Sequence, residues 1–126
     1  AEKYLWGRPD LKDTIKRLQA FQEVGADVLY APGLKTREEI AAVVSSVDRP
    51  VNVVMGLVGA QLSLEELSKI GVRRISVGSS LQRAALGAFL RAAGEMSAKG
   101  TFTYAAEAAS PKDVTPIFDS FRSREA

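Results

Sequence analysis

Short apolar runs alternate along the chain with longer stretches in which apolar residues recur every three or four positions. The runs lie at residues 26–31, 51–55 and 73–77, and glycine or proline stands at or near their ends. Short strands that alternate with helices are typical of βα units and of a parallel sheet. The pattern therefore predicts an α/β fold.

Polar residues at fixed positions mark where the first three helices begin. Asp10 precedes apolar residues at helical spacing, which predicts an N-terminal cap. Thr36 with Glu39, and Ser63 with Glu66, form the capping-box pattern, in which the hydroxyl and the carboxylate each accept a backbone N–H. Residues 2–6, before the first of these helices, are predicted to be the end of another strand.

The longest helix is predicted at residues 80–99, and it has apolar residues on two sides. Such a helix usually packs against two surfaces, here its own sheet and a partner subunit. Residues 1–126 are predicted to be a single domain, with a barrel portion at 1–100 and a C-terminal extension at 101–126. A closed (β/α)8 barrel needs about 200–250 residues, so we expect this chain to be a fragment, about half of one.

The composition excludes several classes of function. The chain has no cysteine and no histidine, which excludes disulfides and thiolate metal sites and removes the commonest general base. The net charge is +2, and the basic residues are scattered among acidic ones, which argues against binding nucleic acid. The sequence contains no run of about 18 apolar residues, the length that a membrane-spanning helix needs. No signal peptide is visible. We therefore expect a soluble, cytoplasmic protein.

In parallel α/β proteins the site lies at the carboxyl ends of the strands. Alternation along a barrel strand places Asn52 on an inward face with Gly56 at the mouth, and it turns Ser76 and Gly78 inward together. Each position has a structural alternative. Asn52 is as well explained as a hydrogen-bonded interior amide, Ser76 as a packing residue, and the glycines as sharp turns.

Two features are able to bind an anion. Gly78, Ser79 and Ser80 precede the long helix, and their backbone N–H groups are placed to receive a phosphate or carboxylate. Helix caps have the same pattern, so this reading stands beside a structural one. Arg8 also suits an anion, although a solvated arginine is the commoner role.

Five stretches match one superfamily in order along the chain. They are EKYLWGRPDL at residues 2–11, IKRLQAF at 15–21, GADVLY at 25–30, PVNV at 50–53 and residues 67–78, which end in GVRRISVG. In this series the chain resembles the C-terminal half of the isocitrate lyase/phosphoenolpyruvate mutase superfamily. The resemblance is greatest to the short bacterial members that are similar to carboxyvinyl-carboxyphosphonate phosphorylmutase.

The resemblance implies the C-terminal half of a (β/α)8 TIM barrel, from the end of strand five to helix eight, followed by a helical extension. It implies an enzyme that acts on C–C or P–C bonds of a small 2-oxo acid through an enolate, with Mg²⁺ holding the oxyanion. The catalytic residues, the metal ligands and the substrate-binding arginine of the family would lie before Glu2. This chain alone is therefore expected to be inactive and to hold no metal.

The resemblance also implies which residues form the wall and rim of the site. The candidate substrate-binding residues are Glu2, Arg8, Tyr30, Gly33, Asn52, Gly56, Ser76, Gly78 and Ser79. Where the better-known lyases carry Glu, His or Ser after the sixth strand, this chain has Pro32 and Gly33. Where they carry Asn and Thr on the seventh, it has Val54 and Gly56, which leaves the substrate open.

The expected partners are a 2-oxo acid and a further protein surface. In the family the eighth helix commonly packs on a neighbouring subunit, which implies a homo-oligomer through residues 80–99, or pairing with the missing N-terminal half. Two alternatives stay open. One is a non-catalytic half-barrel that assembles with another chain, and the other is a phosphate-binding half-barrel that uses Gly78, Ser79 and Ser80.

Overall fold

The computed structural model describes residues 1–56 and 61–122 of the chain. They fall into two compact units, Ala1–Arg83 and Ala84–Ala126. The predicted division into a barrel portion and an extension at residue 100 concerns the whole barrel and stays a prediction. In chain order the elements are α1 (Leu11–Glu23), β1 (Leu29–Tyr30), α2 (Arg37–Ser45), β2 (Val51–Val54), α3 (Leu64–Lys69), β3 (Arg74–Ser76), α4 (Ser80–Lys99), a 3-10 helix (Thr103–Glu107) and α5 (Pro111–Arg122).

The three strands form one parallel sheet in the order β1-β2-β3. The register pairs are Leu29 with Val51, Tyr30 with Asn52, Asn52 with Arg74, Val53 with Ile75, and Val54 with Ser76. The predicted alternation of helices with parallel strands is confirmed. Each strand is shorter than its apolar run, and β1 lacks three residues of its run at the amino end and one at the carboxyl end.

The core lies between the sheet and the first three helices. Leu18 of α1, Ile40 and Val43 of α2 and Leu67 of α3 are buried in one cluster with strand residues. The strand residues of that cluster are Leu29, Val51 and Val53. Burial of each large aliphatic side chain contributes about 1.5–3 kcal/mol relative to its exposure. One face of the sheet is therefore covered by helices.

The predicted caps are present. The N–H of Glu39 donates to Thr36 Oγ1 at 3.1 Å, and the N–H of Glu66 donates to Ser63 Oγ at 3.2 Å. In both capping boxes the glutamate carboxylate accepts the N–H of the cap residue in return. The Asp10 carboxylate caps α1 by accepting a backbone N–H at 2.9 Å.

Residues 2–6 were predicted as a strand end, and that prediction is wrong. The backbone N–H groups of Leu5, Trp6 and Gly7 donate to carbonyls three residues earlier, at 3.1, 3.2 and 3.3 Å. These bonds make a turn, which Gly7 closes with φ of +69°. Tyr4 is buried, while Leu5 and Trp6 are 52% and 77% exposed. The segment is therefore a turn that is anchored by the buried Tyr4 side chain, and it is not a strand.

The second unit is built around the later part of α4. The helix has the predicted bounds, but none of its residues is buried. The Glu95 carboxylate accepts hydrogen bonds from the hydroxyl groups of Thr101 and Thr103 and from the N–H groups of Thr103 and Tyr104, at 2.6–3.1 Å. These bonds fix the 3-10 helix, which the sequence did not predict. In the described part of the chain, no helix is long and apolar enough to cross a membrane.

Candidate active site

The carboxyl ends of the three strands share one edge of the sheet because the strands are parallel. Each strand is followed there by a glycine with positive φ, at Gly33 (+93°), Gly56 (+77°) and Gly78 (+52°). Other residues rarely adopt this backbone conformation. The three turns therefore outline the edge at which the sequence predicted the site. The predicted rim after β2 continues into residues 57–60, which lie outside the described residues.

Two of these glycines also allow a close approach of neighbouring segments. A Cβ added at Gly33 would lie 2.9 Å from the Tyr4 Cβ, and one added at Gly56 would lie 2.7 Å from the Ser80 Cβ. Gly33 therefore holds the Tyr4 turn against the end of β1, and Gly56 holds the end of β2 against the start of α4. Packing accounts for both glycines, and a contact with substrate stays a prediction.

The sheet face opposite the helices carries a hydrogen-bonded polar cluster. Asn52 is 4% exposed, and its Nδ2 donates to Ser76 Oγ at 3.1 Å. The guanidinium of Arg74 donates to Asn52 Oδ1 at 2.9 Å. Asn52 and Ser76 thus share a face, as strand alternation predicted. Arg74 was missed, although the same alternation places it two residues before Ser76.

The remaining candidates lie around this edge and are exposed. Glu2 stands beside the end of β1, where the nitrogen of Ala1 donates to the Tyr30 carbonyl at 2.7 Å. The Tyr30 side chain is 38% exposed, and Ser79 is exposed at the start of α4. The structure therefore places these three at the rim, and their contact with a ligand stays a prediction.

Arg8 lies in a different setting. It lines a cavity of about 460 Å³ together with Lys3, Trp6 and Arg17. The Asp13 carboxylate accepts hydrogen bonds from Lys3 at 2.8 Å and from Arg17 at 2.6 Å, and these cations lower the pKa of Asp13 to about 2. Lys3 also pairs with Asp10 at 3.4 Å, so two carboxylates offset two of the three cations around the cavity. None of the residues that share this cavity with Arg8 was a candidate.

A buried phenol lies next to the edge and was not predicted. The hydroxyl of Tyr4 donates to Glu39 at 3.0 Å. Burial, and then the neighbouring Glu39 carboxylate, raise the pKa of Tyr4 to about 12. This phenol is therefore a hydrogen-bond donor at physiological pH. The sequence has no local signal for this contact, because Tyr4 and Glu39 are 35 positions apart.

Among residues 1–56 and 61–122, no group of three or more His, Cys, Asp or Glu side chains is placed to hold a metal ion. Magnesium prefers several oxygen ligands, including carboxylates. The described residues therefore do not fit the metal site that the resemblance implies for the family.

The sequence profile of the phosphoenolpyruvate phosphomutase family matches residues 1–97 of this chain. The chain belongs to this family. The predicted superfamily is thus confirmed, and the members of this superfamily are lyases and mutases.

Solved structures of family members extend the match. A Burkholderia cenocepacia protein described as a lyase/mutase is 58% identical with a TM-score of 0.88, over 94% of this chain and 43% of that one. A protein of the same organism described as a phosphonomutase is 33% identical with a TM-score of 0.59, over 68% of this chain and 33% of that one. A 2,3-dimethylmalate lyase is 22% identical with a TM-score of 0.67, over 90% of this chain and 41% of that one, and supports the fold alone.

This chain spans less than half the length of each of these structures. The predicted fold class, the C-terminal half of an α/β TIM barrel, is confirmed.

A curated relative from Shewanella piezotolerans is the 1-(5-phosphoribosyl)-5-((5-phosphoribosylamino)methylideneamino)imidazole-4-carboxamide isomerase. It is 36% identical over 73 residues, which cover 52% of this chain and 29% of that protein.

Proposed function

We propose that this chain is part of a magnesium-dependent lyase or mutase that cleaves or forms a C–C or P–C bond next to a small 2-oxo acid. The match of residues 1–97 to the phosphoenolpyruvate phosphomutase family carries the proposal. The names of similar proteins support the reaction class, since one is described as a lyase/mutase and another as a phosphonomutase. The reaction would pass through an enolate, whose negative charge needs electrostatic stabilisation.

We propose that this chain supplies wall and rim to the site. The uncovered sheet face with Asn52 and Ser76 would form part of the wall, and the turns at Gly33, Gly56 and Gly78 would form part of the mouth. Magnesium, when bound, would stabilise the enolate oxygen as a Lewis acid. We propose that its ligands lie in the part of the protein outside this chain, as the resemblance to the family implies.

Oxalate tests this proposal, because it resembles the enolate of pyruvate in shape and charge. In calorimetric titrations with Mg²⁺ present, the longer natural protein should bind oxalate, and acetate should not bind. The chain of residues 1–126 alone should bind neither oxalate nor Mg²⁺ tightly. A folded longer protein that ignores oxalate would contradict the assignment to 2-oxo acids and would favour the non-catalytic half-barrel.

A second candidate is favoured by the curated isomerase, whose name contains two phosphoribosyl groups. In this reading a phosphate lies at the start of α4, where Gly78 and Ser79 lead into the helix. Inorganic phosphate should then bind the longer protein in calorimetry, and Gly78→Val should weaken binding by crowding the backbone N–H groups. Absence of heat at millimolar phosphate would reject this candidate and leave the first unaffected.

We further propose that α4 contacts a neighbouring subunit. No residue of α4 is buried, and its apolar residues include Leu86, Phe89 and Leu90, which are 45%, 67% and 59% exposed. Sedimentation velocity should show an oligomer of the longer protein that Phe89→Glu dissociates. Gln82→Glu, on the same helix, should leave it intact. A monomer at all concentrations would contradict the contact.

A further inference from the structure

Arg74 holds a positive charge on the sheet face that α1, α2 and α3 leave uncovered. It is the first residue of β3 and the register partner of Asn52 in β2. Its guanidinium donates to Asn52 Oδ1 at 2.9 Å, while Asn52 is held in turn by Ser76. Asn52 is almost fully buried, but Arg74 is exposed. The hydrogen bond to Asn52 therefore fixes the orientation of the Arg74 guanidinium, which stays exposed to solvent.

The guanidinium has five N–H donors, and the described part of the chain uses few of them. The bond to Asn52 Oδ1 is to a neutral acceptor. The ion pairs among the described residues involve Lys3, Arg17 and Lys69, and none of them includes Arg74. Arg74 thus has a neutral partner and lacks a carboxylate within the described residues.

This face becomes an interior surface when the barrel closes. This chain covers 43% of the similar lyase/mutase structure, so most of that structure lies outside the match. The inside of an eight-stranded barrel is filled with side chains. A buried charge without an opposite charge is strongly unfavourable. Closure would therefore bury the Arg74 guanidinium and require an anion beside it.

We propose that a carboxylate from the part of the protein outside this chain pairs with Arg74 inside the closed barrel. The inference rests on the proposed function only in taking the chain as part of a larger barrel. Arg74 lies at the amino end of β3, whereas Gly56 and Gly78 mark the opposite, carboxyl edge. This position favours a carboxylate of the protein over one of a substrate. Asn52 acts as a positioning residue that aims the guanidinium at its partner.

Thermal unfolding of the longer natural protein tests the pair with two neighbouring arginines. Arg74→Met removes the cation, and Arg73→Met is the control, since Arg73 is exposed and outside the described ion pairs. At pH 8, Arg74→Met should lower the Tm by several degrees and Arg73→Met should leave it nearly unchanged. At pH 5 the Arg74→Met variant should recover part of the loss, because an unpaired buried carboxylate takes up a proton.

The pH dependence separates the salt bridge from the hydrogen bond to Asn52. Among described residues on this face, Tyr30 is the other titratable group, and none of them is a carboxylate. An equal loss at both pH values, or a Tm like that of Arg73→Met, would overturn the proposal. If Arg74→Met does not fold, Arg74→Lys should fold with a Tm near that of the natural protein, and a Lys variant that also fails would overturn it. This test measures thermal stability, whereas the proposed function is tested by oxalate binding. A negative result in one test therefore leaves the other unaffected.

Discussion

The Tyr4 hydroxyl donates a 3.0 Å hydrogen bond to Oε1 of Glu39, while Oε2 of the same carboxylate accepts the N–H of Lys35 at 2.7 Å. One side chain therefore caps α2 and holds the first turn of the chain. Gly33 lies in the same contact, since a Cβ there would meet the Tyr4 Cβ. The shape of the rim beside β1 depends on this bond.

Replacing Tyr4 with Phe tests that bond. The variant leaves one part-buried carboxylate oxygen without its donor, so we expect a loss of about 1 kcal/mol in the free energy of unfolding. Tyr104→Phe is the control, because the Tyr104 hydroxyl makes only a 3.5 Å contact with the Met96 sulfur. Urea unfolding measures both variants, and equal losses would show that the bond to Glu39 does not stabilise the turn.

Asp13 should make stability depend on pH in the acid range. Lys3 and then Arg17 lower its pKa from 3.8 to about 2. A lowered pKa means that the ionised form stabilises the fold above pH 3.8 and that this contribution is lost as the pH falls through 2. Asp13→Asn should therefore reduce the Tm at pH 7, less so in high salt, and should have no effect below pH 2.

The control for this pH dependence is Asp27→Asn. Asp27 is exposed and belongs to none of the ion pairs among the described residues. Its Tm difference from the natural protein should be small at pH 7. A difference as large as that of Asp13→Asn would contradict a specific role for the Lys3 and Arg17 contacts.

Gly56→Ala should disturb the carboxyl edge. The backbone at Gly56 has φ of +77°, and the added Cβ would lie 2.5 Å from Ser80 Oγ. We expect a loss of at least about 1–2 kcal/mol from the left-handed conformation alone. Gly94→Ala in α4 is the matched control, since no described atom beyond its chain neighbours and its own helix backbone lies within 4 Å of the added Cβ. It should stabilise the helix by about 0.5–1 kcal/mol, and urea unfolding distinguishes the two signs.

Thr14 lies in α1 and is fully buried, and its Oγ1 has no hydrogen-bond partner in the described structure. Thr14→Val keeps the shape and removes the unpaired hydroxyl, so stability should be unchanged or rise by about 1 kcal/mol. Thr36→Val, which removes the cap of α2, should instead cost about 1 kcal/mol. A loss for Thr14→Val as large as for Thr36→Val would show that the hydroxyl has a partner in solution.

Features with a local cause could be predicted from the sequence. The capping box of Thr36 and Glu39 spans one helical turn, so its signal is complete within four residues. Strand alternation likewise predicted that Asn52 and Ser76 share a face, which their hydrogen bond confirms. The same rule places Arg74 on that face, although Arg74 was not among the predicted site residues.

Features that depend on distant residues could not be predicted. Tyr4 and Glu39 are 35 positions apart, and no local pattern brings a phenol to a capping carboxylate. The composition of residues 2–6 suits a strand, but the bonds within the segment and the burial of Tyr4 produce a turn. The apolar stripes of α4 predicted two packing surfaces, yet α4 buries no residue in the described structure. The sequence of a helix shows which of its faces are apolar, but it does not show which surface packs against them.

Turnover by the longer natural protein is the most direct test of the central claim, that the chain is part of a magnesium-dependent lyase or mutase. The substrates to test are phosphoenolpyruvate, from the name of the matched family, and 2,3-dimethylmalate, from the name of a structure with the same fold. We expect turnover of at least one of them, lost with a chelator and restored by Mg²⁺. A folded protein that turns over none of them, with or without Mg²⁺, would contradict the account and favour a non-catalytic half-barrel.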